Sequence, residues 1–414
     1  MPSPFPDTPE SLGIGRLATG RATSLFAPDV ERRRADIDHA LRGARVLVIG
    51  AAGSIGGATV RQLLTSELAA LHAVDTSENE LVELTRDLHG SARVNRGTEF
   101  RAMPIDFGSE VFHRVLLAAA PYDYVLNFAA VKHVRSEKDV FSLLHMLDTN
   151  VMKQARVIGW LHKRHPGSRY FSVSTDKAAN PVNFMGASKR LMEHVLFSAA
   201  AAPFEGRSAT SARFANVAFS NGSLLRGWFH RLAKGQPLAV PADTRRFFIS
   251  LAESGEICVV AAVLGLHRQI LIPRLDPEHD LRALQPIAEA FLRHWGLHAR
   301  CYDDQGEAMR RLASDRAEGA YPLVVTPLDT SGEKDFEEFV SDGERTLDVG
   351  FRAIEAVPYD VDPGEALPAF LALVERAVSE AHTPVSKANL AAAIGRVIPE
   401  FHHCETGKSL DDRL

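Results

Sequence analysis

Two short stretches carry the side chains best equipped for proton chemistry. Ser174-Thr175-Asp176-Lys177 sets a carboxyl beside an amine, and Met185-Gly186-Ala187-Ser188-Lys189 follows, opening a helix that carries a second lysine. A carboxyl group kept protonated by its site can give that proton to a departing hydroxyl, and an amine relieved of its proton can act as a base. Lys189 adds a nearby positive charge, which favours the neutral form of Lys177. Met185 lies four residues before Lys189, on the same helix face, and a thioether cannot take up a hydroxyl proton. Read without chemistry, Asp176-Lys177 is a solvated turn.

A second constellation suits an anion. Gly50-Ala51-Ala52-Gly53-Ser54-Ile55-Gly56 follows an apolar run and opens a helix. There the backbone at Gly50, Gly53, Ser54, Ile55 and Gly56 can approach a pyrophosphate, at a helix end whose free N–H groups favour negative charge. Asp75 closes the next apolar run, about twenty residues on, where a carboxylate accepts ribose hydroxyls and repels a 2′-phosphate, favouring NAD over NADP.

The elements needed to hold these groups are legible in the pattern. Val46-Leu47-Val48-Ile49 reads as a strand, Ile55 to Leu64 as a helix and Leu71 to Asp75 as the next strand, a βαβ unit. Further strands are expected at Phe100–Ile105, Tyr124–Phe128, Tyr170–Ser174 and Thr210–Phe214, with helices over Val140–His162 and Met185–Ala199. Such alternation with near-continuous apolar strands predicts an α/β protein with a doubly wound parallel sheet. Residues 1–43 read as an N-terminal arm and helix, 44–216 as the dinucleotide-binding domain, and 217–414 as a smaller C-terminal substrate lobe, partly interleaved, ending in helices near Pro363–Ala377 and Lys387–Val397.

Composition narrows the function. The 414 residues are 45% apolar and 24% charged, with a net charge of −5, which argues against nucleic-acid binding through a general basic field and leaves anionic ligands to local Arg and Lys clusters. The longest apolar run, Ile257 to Gly265, is too short for a membrane span. The Pro-rich polar start does not read as a signal peptide. Cys258, Cys301 and Cys404 form no metal-ligand or disulfide pattern, so no metal, reduced thiols and a cytoplasmic location are expected.

The spacing of the first two stretches resembles the active-site segment of extended short-chain dehydrogenases/reductases with a Rossmann domain, except that Met185 stands where Tyr is usual. The longer run Ser174 to Pro181 with Met185 to Arg190 is similar to UDP-N-acetylglucosamine 4,6-dehydratases of the polysaccharide-biosynthesis group. The likeness extends through Arg213-Phe214-Ala215-Asn216-Val217, Arg245-Arg246-Phe247-Phe248-Ile249-Ser250 and Thr330 to Phe336; Ile14-Gly15-Arg16 and Glu405 to Asp411 resemble the legionaminic-acid type. The resemblance implies Asp176 as acid, Lys177 as base at the sugar C5, Thr175 near the C4 oxygen and Lys189 on the nicotinamide ribose. It also implies Asp106 near adenine and Ala129, in Asn127-Phe128-Ala129-Ala130, near the nicotinamide. Lys132, Asn216, Arg246 and Arg274 correspond to contacts with the UDP-sugar; His133 belongs to the sugar loop, and Glu333-Lys334-Asp335 to a structural charge cluster.

The implied reaction uses a tightly bound NAD recycled within each turnover, on UDP-N-acetylglucosamine, with retention at C5. The C4 hydroxyl proton, which Met185 cannot take, falls to Thr175, a water or Lys177. A C5-inverting dehydratase, a 4-epimerase or ketoreductase, and a non-catalytic nucleotide-sugar-binding protein are the alternatives. The family's usual pairing through the two long helices implies a homodimer or higher homo-oligomer, with no membrane or nucleic-acid partner.

Overall fold

The computed structural model describes residues 13–92, 94–132, 137, 139–198, 208–327, 338–380 and 382–403. Its first six strands are β1 (Arg45–Ile49), β2 (Ala70–Asp75), β3 (Glu99–Pro104), β4 (Tyr124–Asn127), β5 (Arg169–Val173) and β6 (Ala209–Ala212). There follow β7 (Asn216–Val217), β8 (Leu238–Pro241), β9 (Arg245–Ile249), β10 (Gln269–Pro273), β11 (Leu281–Ala283), β12 (His298–Tyr302), β13 (Ala320–Thr326) and β14 (Ile354–Pro358). The main sheet runs β3-β2-β1-β4-β5-β6-β10-β14, parallel except for β14. Val46, Leu47 and Val48 have no exposed surface, as expected of parallel strands covered on both faces. The reversal of strand order between β1 and β4 makes this a doubly wound α/β sheet of the Rossmann type found in extended short-chain dehydrogenases/reductases.

On one face, helix Leu251–Leu264 crosses helix Ser54–Leu63 closely: a Cβ on Gly255 would lie 2.8 Å from the Ala58 carbonyl oxygen. The other face carries the helical stretch from Val140 and helix Phe184–Phe197. Two smaller sheets, β11-β9-β7 and the parallel β12-β13-β8, belong to the second lobe, whose core joins Trp228, Phe219, Phe291 and Tyr321.

Four expectations change. The arm is docked: Arg21 bonds Glu253 and Asp280, and buried Asp29 accepts the backbone amides of Arg352 and Ala353. Its expected single helix divides into Ala27–Arg32 and Arg34–Leu41. The stretch Val140–His162 is interrupted by a π-turn, Asp148–Met152, between α-helices Val140–Leu147 and Lys153–Arg164. Finally, every residue of Phe184–Phe197 is buried within the chain. Helix Lys387–Val397 packs on it, as do Phe401 against Phe184 and Tyr359 against His194, so the second pairing face implied by the resemblance is already covered. Among the described residues, no helix is long and apolar enough to cross a membrane.

Candidate active site

The chain leaves β1 through Gly50, whose φ is 73°. A Cβ there would sit 2.5 Å from the Ala129 amide nitrogen, and one on Gly56 would sit 2.1 Å from the Gly50 carbonyl oxygen. Only glycine lets these backbone segments close on one another. Gly53 then caps helix Ser54–Leu63 in an extended conformation, while Ile55 packs half-buried against the core. Asp75 Oδ2 accepts from the Ala52 amide and Oδ1 from the Ser77 amide, both at 3.0 Å; each oxygen keeps further acceptor capacity. The Ser54 hydroxyl oxygen accepts from the Asn221 amide at 2.8 Å, and Lys132 Nζ donates to the Asn221 carbonyl at 2.6 Å. The turn at Asn221 therefore leans over the glycine-rich loop.

A cleft of about 340 Å³ opens here, lined by Gly50, Gly53, Asp75, Asp106, Ala129 and Lys153 among others. Asp106 accepts from Lys153 Nζ at 2.6 Å and from the Gly108 amide. Burial works against its ionisation, but the bonds from Lys153 and Gly108 outweigh that and hold its carboxyl below the usual range. Thr149, on the same wall, has a buried hydroxyl with no partner among the described residues. Backbone crowding relieved by glycine, a helix N-terminus and an acceptor carboxylate at the end of β2 together fit a dinucleotide.

Ser174 to Lys177 leave the end of β5, the strand next to β4, whose following residues Phe128 to Val131 line this cleft. Asp176 is 1% exposed, and its Oδ1 accepts from the Thr175 hydroxyl at 2.6 Å, the Lys177 amide at 2.9 Å and Lys177 Nζ at 3.1 Å. Its Oδ2 is buried with no partner among the described residues. Lys177 is partly open, with 24% of its side chain exposed. The turn is pressed on the next helix: a Cβ on Gly186 would lie 2.3 Å from the Lys177 carbonyl oxygen.

Met185, at the helix start, is buried; its amide donates to Glu137 at 2.8 Å. Burial raises the Glu137 carboxyl despite bonds from the Met185 and Phe184 amides. One turn on, Lys189 is 5% exposed, and its ammonium donates to the Met192 sulfur at 3.4 Å, its one hydrogen-bond partner among the described residues. Burial lowers its ammonium to about 8, with Glu193 opposing. A buried lysine without a hydrogen-bonded carboxylate is suited to neutral hydroxyl partners. Asn150, inside the π-turn, exchanges hydrogen bonds with the backbone of Val131 in the cleft wall and donates to Ser188 beside Lys189. That side-chain clamp accounts for the irregular turn, a feature often found at functional sites.

Behind these groups lies a buried charge cluster. Glu193, one turn beyond Lys189, accepts from the Ser174 hydroxyl at 2.6 Å and from Arg213 at 2.8 and 2.7 Å. Arg213 and Arg190 also reach Glu344. Burial opposes the Glu344 charge, but Arg213 and Arg190 bring its carboxyl down to about 2. His194, with its ring nitrogen bonded to the Tyr359 hydroxyl, is pushed down to about 3 by burial and the nearby Arg190 and so stays neutral.

Of the residues implied for the substrate, Asn216 and Arg246 fall on neighbouring strands β7 and β9. Asn216 is within 3.5 Å of the Phe247 carbonyl oxygen, and Arg246 bonds the Arg245 carbonyl and stands in register with Arg282. Phe247 leaves the strand on the opposite face and packs on Phe339. Phe339 lines a second cavity, of about 410 Å³, together with Arg274. Arg274 there faces Asp348 at 3.3 Å and Glu355 at 3.7 Å. Asn216 and Arg246 thus share one small sheet, whereas Arg274 belongs to a separate cavity already supplied with carboxylates. His133, Thr330 to Phe336 and Glu405 to Asp411 lie outside the described residues.

Sequence reasoning missed Asn150, Lys153, Glu193, Asn221 and Glu344. The helical interval from Lys189 to Glu193 was a usable signal, and Arg213 stood in a quoted motif; nothing local pointed to Glu344.

Residues 46–357 match the polysaccharide biosynthesis protein family. An uncharacterized membrane protein of Methanocaldococcus jannaschii is 30% identical over 63% of this chain and 75% of its own length. The capsular polysaccharide biosynthesis protein CapD of Staphylococcus aureus is 28% identical over 63% of this chain, and the match spans only 43% of CapD. Among solved structures, Pen from Bacillus thuringiensis shares the fold with a TM-score of 0.62 at 21% identity, covering 78% of this chain and 89% of Pen. The UDP-Glc/GlcNAc 4-epimerase of Campylobacter jejuni does so with 0.52 at 17% identity, covering 72% and 91%. With the family match spanning the whole sheet from β1 to β14, the chain belongs to the polysaccharide biosynthesis protein family.

Proposed function

We propose that the chain catalyses NAD-dependent 4,6-dehydration of UDP-N-acetylglucosamine to UDP-2-acetamido-2,6-dideoxy-4-hexulose, with retention at C5. The observation that carries this reading is Asp176: a buried carboxyl bonded through Oδ1 to Thr175 and Lys177, with a second oxygen that no described residue satisfies. A simple oxidoreductase or epimerase has no use for an acid and a base side by side.

NAD held by Gly50, Gly53 and Asp75 would supply reversible hydride transfer with the sugar. Lys189 holds the nicotinamide ribose. Thr175 takes the C4 hydroxyl proton and passes it along its bond to Asp176, the route that Met185 cannot provide. Once C4 is a ketone the C5 hydrogen is acidic, and Lys177 removes it. Asp176 gives its proton to the departing C6 hydroxyl, which leaves as water. Lys177 then returns its proton to C5 on the face it came from, and the site is restored. Lys132, Asn216 and Arg246 hold the nucleotide-sugar end.

Similarity to UDP-glucose 4-epimerases, at 27% identity over 58% of this chain for that of Rickettsia typhi, favours 4-epimerisation as the second reading. Incubation with UDP-N-acetylglucosamine in D₂O followed by NMR separates the two. A 4-keto-6-deoxy sugar labelled at C5 with unchanged configuration is expected; a C4 epimer with its C6 hydroxyl intact would refute the dehydration.

A further inference from the structure

The charge cluster behind the site reaches beyond the helix it lies on. Arg213, wholly buried at the end of β6, grips Glu193 with Nε and Nη2. Its Nη1 donates to the Phe339 carbonyl at 2.9 Å and to Glu344 at 2.6 Å. Glu344 in turn accepts from Arg190 and from the Ser341 amide. The same short segment is caught a second time. Asn180, three residues after Lys177, donates to Glu338 at 3.1 Å and Asp342 at 3.3 Å, and its side-chain oxygen accepts from the Asp342 amide at 3.0 Å. Asn180 does this from a left-handed conformation, φ 45°, which a non-glycine residue adopts at some cost.

Residues 338–344 thus touch two things at once. Glu338, Phe339 and Val340 line the 410 Å³ cavity that holds Arg274, while Asn180 and Arg213 bind the same segment to the turn and helix carrying Asp176, Lys177 and Lys189. We propose that residues 338–344 are a latch, with Asn180 and Arg213 as its receiving side and positioning residues, that seats the Asp176–Lys177 turn only when the wall of the Arg274 cavity is in place. The inference rests on the dehydratase reading for its chemical consequence, but the mechanical coupling stands on the contacts alone. Glu193 completes the path: Arg213 orients Glu193, Glu193 holds the Ser174 hydroxyl, and Ser174 adjoins Thr175. Buried charges held by several bonds each have few alternative arrangements, so displacement of one member is passed to the others.

Two variants test this. Asn180→Gly keeps the left-handed backbone and removes one catch; Glu344→Gln weakens the other. Asn180 sits at a half-exposed site, so its variant will fold even if Glu344→Gln does not. Expected for each is a kcat about 10- to 100-fold lower with KM and cofactor content near those of the unaltered chain, as for a misplacement of about an ångström. Oxidation at C4 and loss of the C6 hydroxyl should slow together, because Thr175, Asp176 and Lys177 all sit on the disturbed turn. Hydrogen exchange at the amides of Lys177, Ala178 and Ala179 should quicken about tenfold or more, with the amides of Gly50 to Ile55 unchanged. Unchanged exchange at residues 177–179 in Asn180→Gly overturns the latch whatever the reaction proves to be. If the unaltered chain fails to dehydrate UDP-N-acetylglucosamine while the exchange result holds, the reaction reading falls and the latch stands.

Discussion

Around Gly50 and Gly56 the chain makes room by leaving side chains out, whereas around Asp176 it makes order by burying charges. The first region needs only the closeness of β1, the helix after it and the loop after β4. The second needs partners from β5, β6, helix Phe184–Phe197 and a segment more than a hundred residues further on. The difference teaches where each region is vulnerable: a glycine turn fails by steric intrusion, locally, while a charge cluster fails by losing a distant member.

Lys177→Met gives the largest effect expected. Loss of a general base costs about 10²- to 10⁴-fold, and C5 exchange measured in D₂O should vanish while cofactor stays bound. Full activity in that variant would remove Lys177 from the mechanism and leave the charged region merely structural.

The same single-carbon addition at two glycines then sets the regions against each other. Gly56→Ala places its methyl 2.1 Å from the Gly50 carbonyl oxygen, and Gly186→Ala places one 2.3 Å from the Lys177 carbonyl oxygen. Gly56→Ala should strip the cofactor, read as loss of bound NAD after gel filtration. Gly186→Ala should keep the cofactor and lower kcat about 100-fold by moving Lys177. Identical failures in both would dissolve the distinction.

The smallest effect is on stability. Burial takes Lys189 from the usual 10.5 to about 8, so between those values the unfolded chain binds more protons than the folded one, and stability rises with pH through that window. Below it, the buried ammonium opposes folding. Lys189→Met should therefore raise Tm at neutral pH, by the equivalent of about 1–3 kcal/mol, and the gain should shrink as pH climbs from 8 toward 10. A lowered Tm at neutral pH would mean that the lysine is held by more than the Met192 sulfur.

How much of this was legible follows the same division. Val46 to Ile49, the glycine turn and Asp75 lie within one βαβ unit, so strand period, turn chemistry and helix start all speak from neighbouring residues. Helix Lys387–Val397 was equally readable from its apolar spacing. The π-turn was not, because it is set by the Asn150 side chain reaching Val131 and Ser188 rather than by local propensity. Helix Gln305–Ala317 offers no apolar stripe to read, since its sequence is polar on most faces, with only Ala308 and Asp315 buried. Glu344 finds its partners Arg190 and Arg213 far back in the chain, and no periodicity encodes such a meeting.

The covering of helix Phe184–Phe197 by elements from the far end of the chain bears on how the molecule is made. During synthesis that helix emerges with its apolar face bare, and Lys387–Val397 and Phe401, which close over it, are made well after it. Contacts between such widely separated segments form late, and exposed apolar surface in the interim invites misassembly. Helix Phe184–Phe197 is thus fully covered only once the segment through Phe401 has been released, so a chain shortened before Lys387 would carry Asp176, Lys177 and Lys189 without that packing.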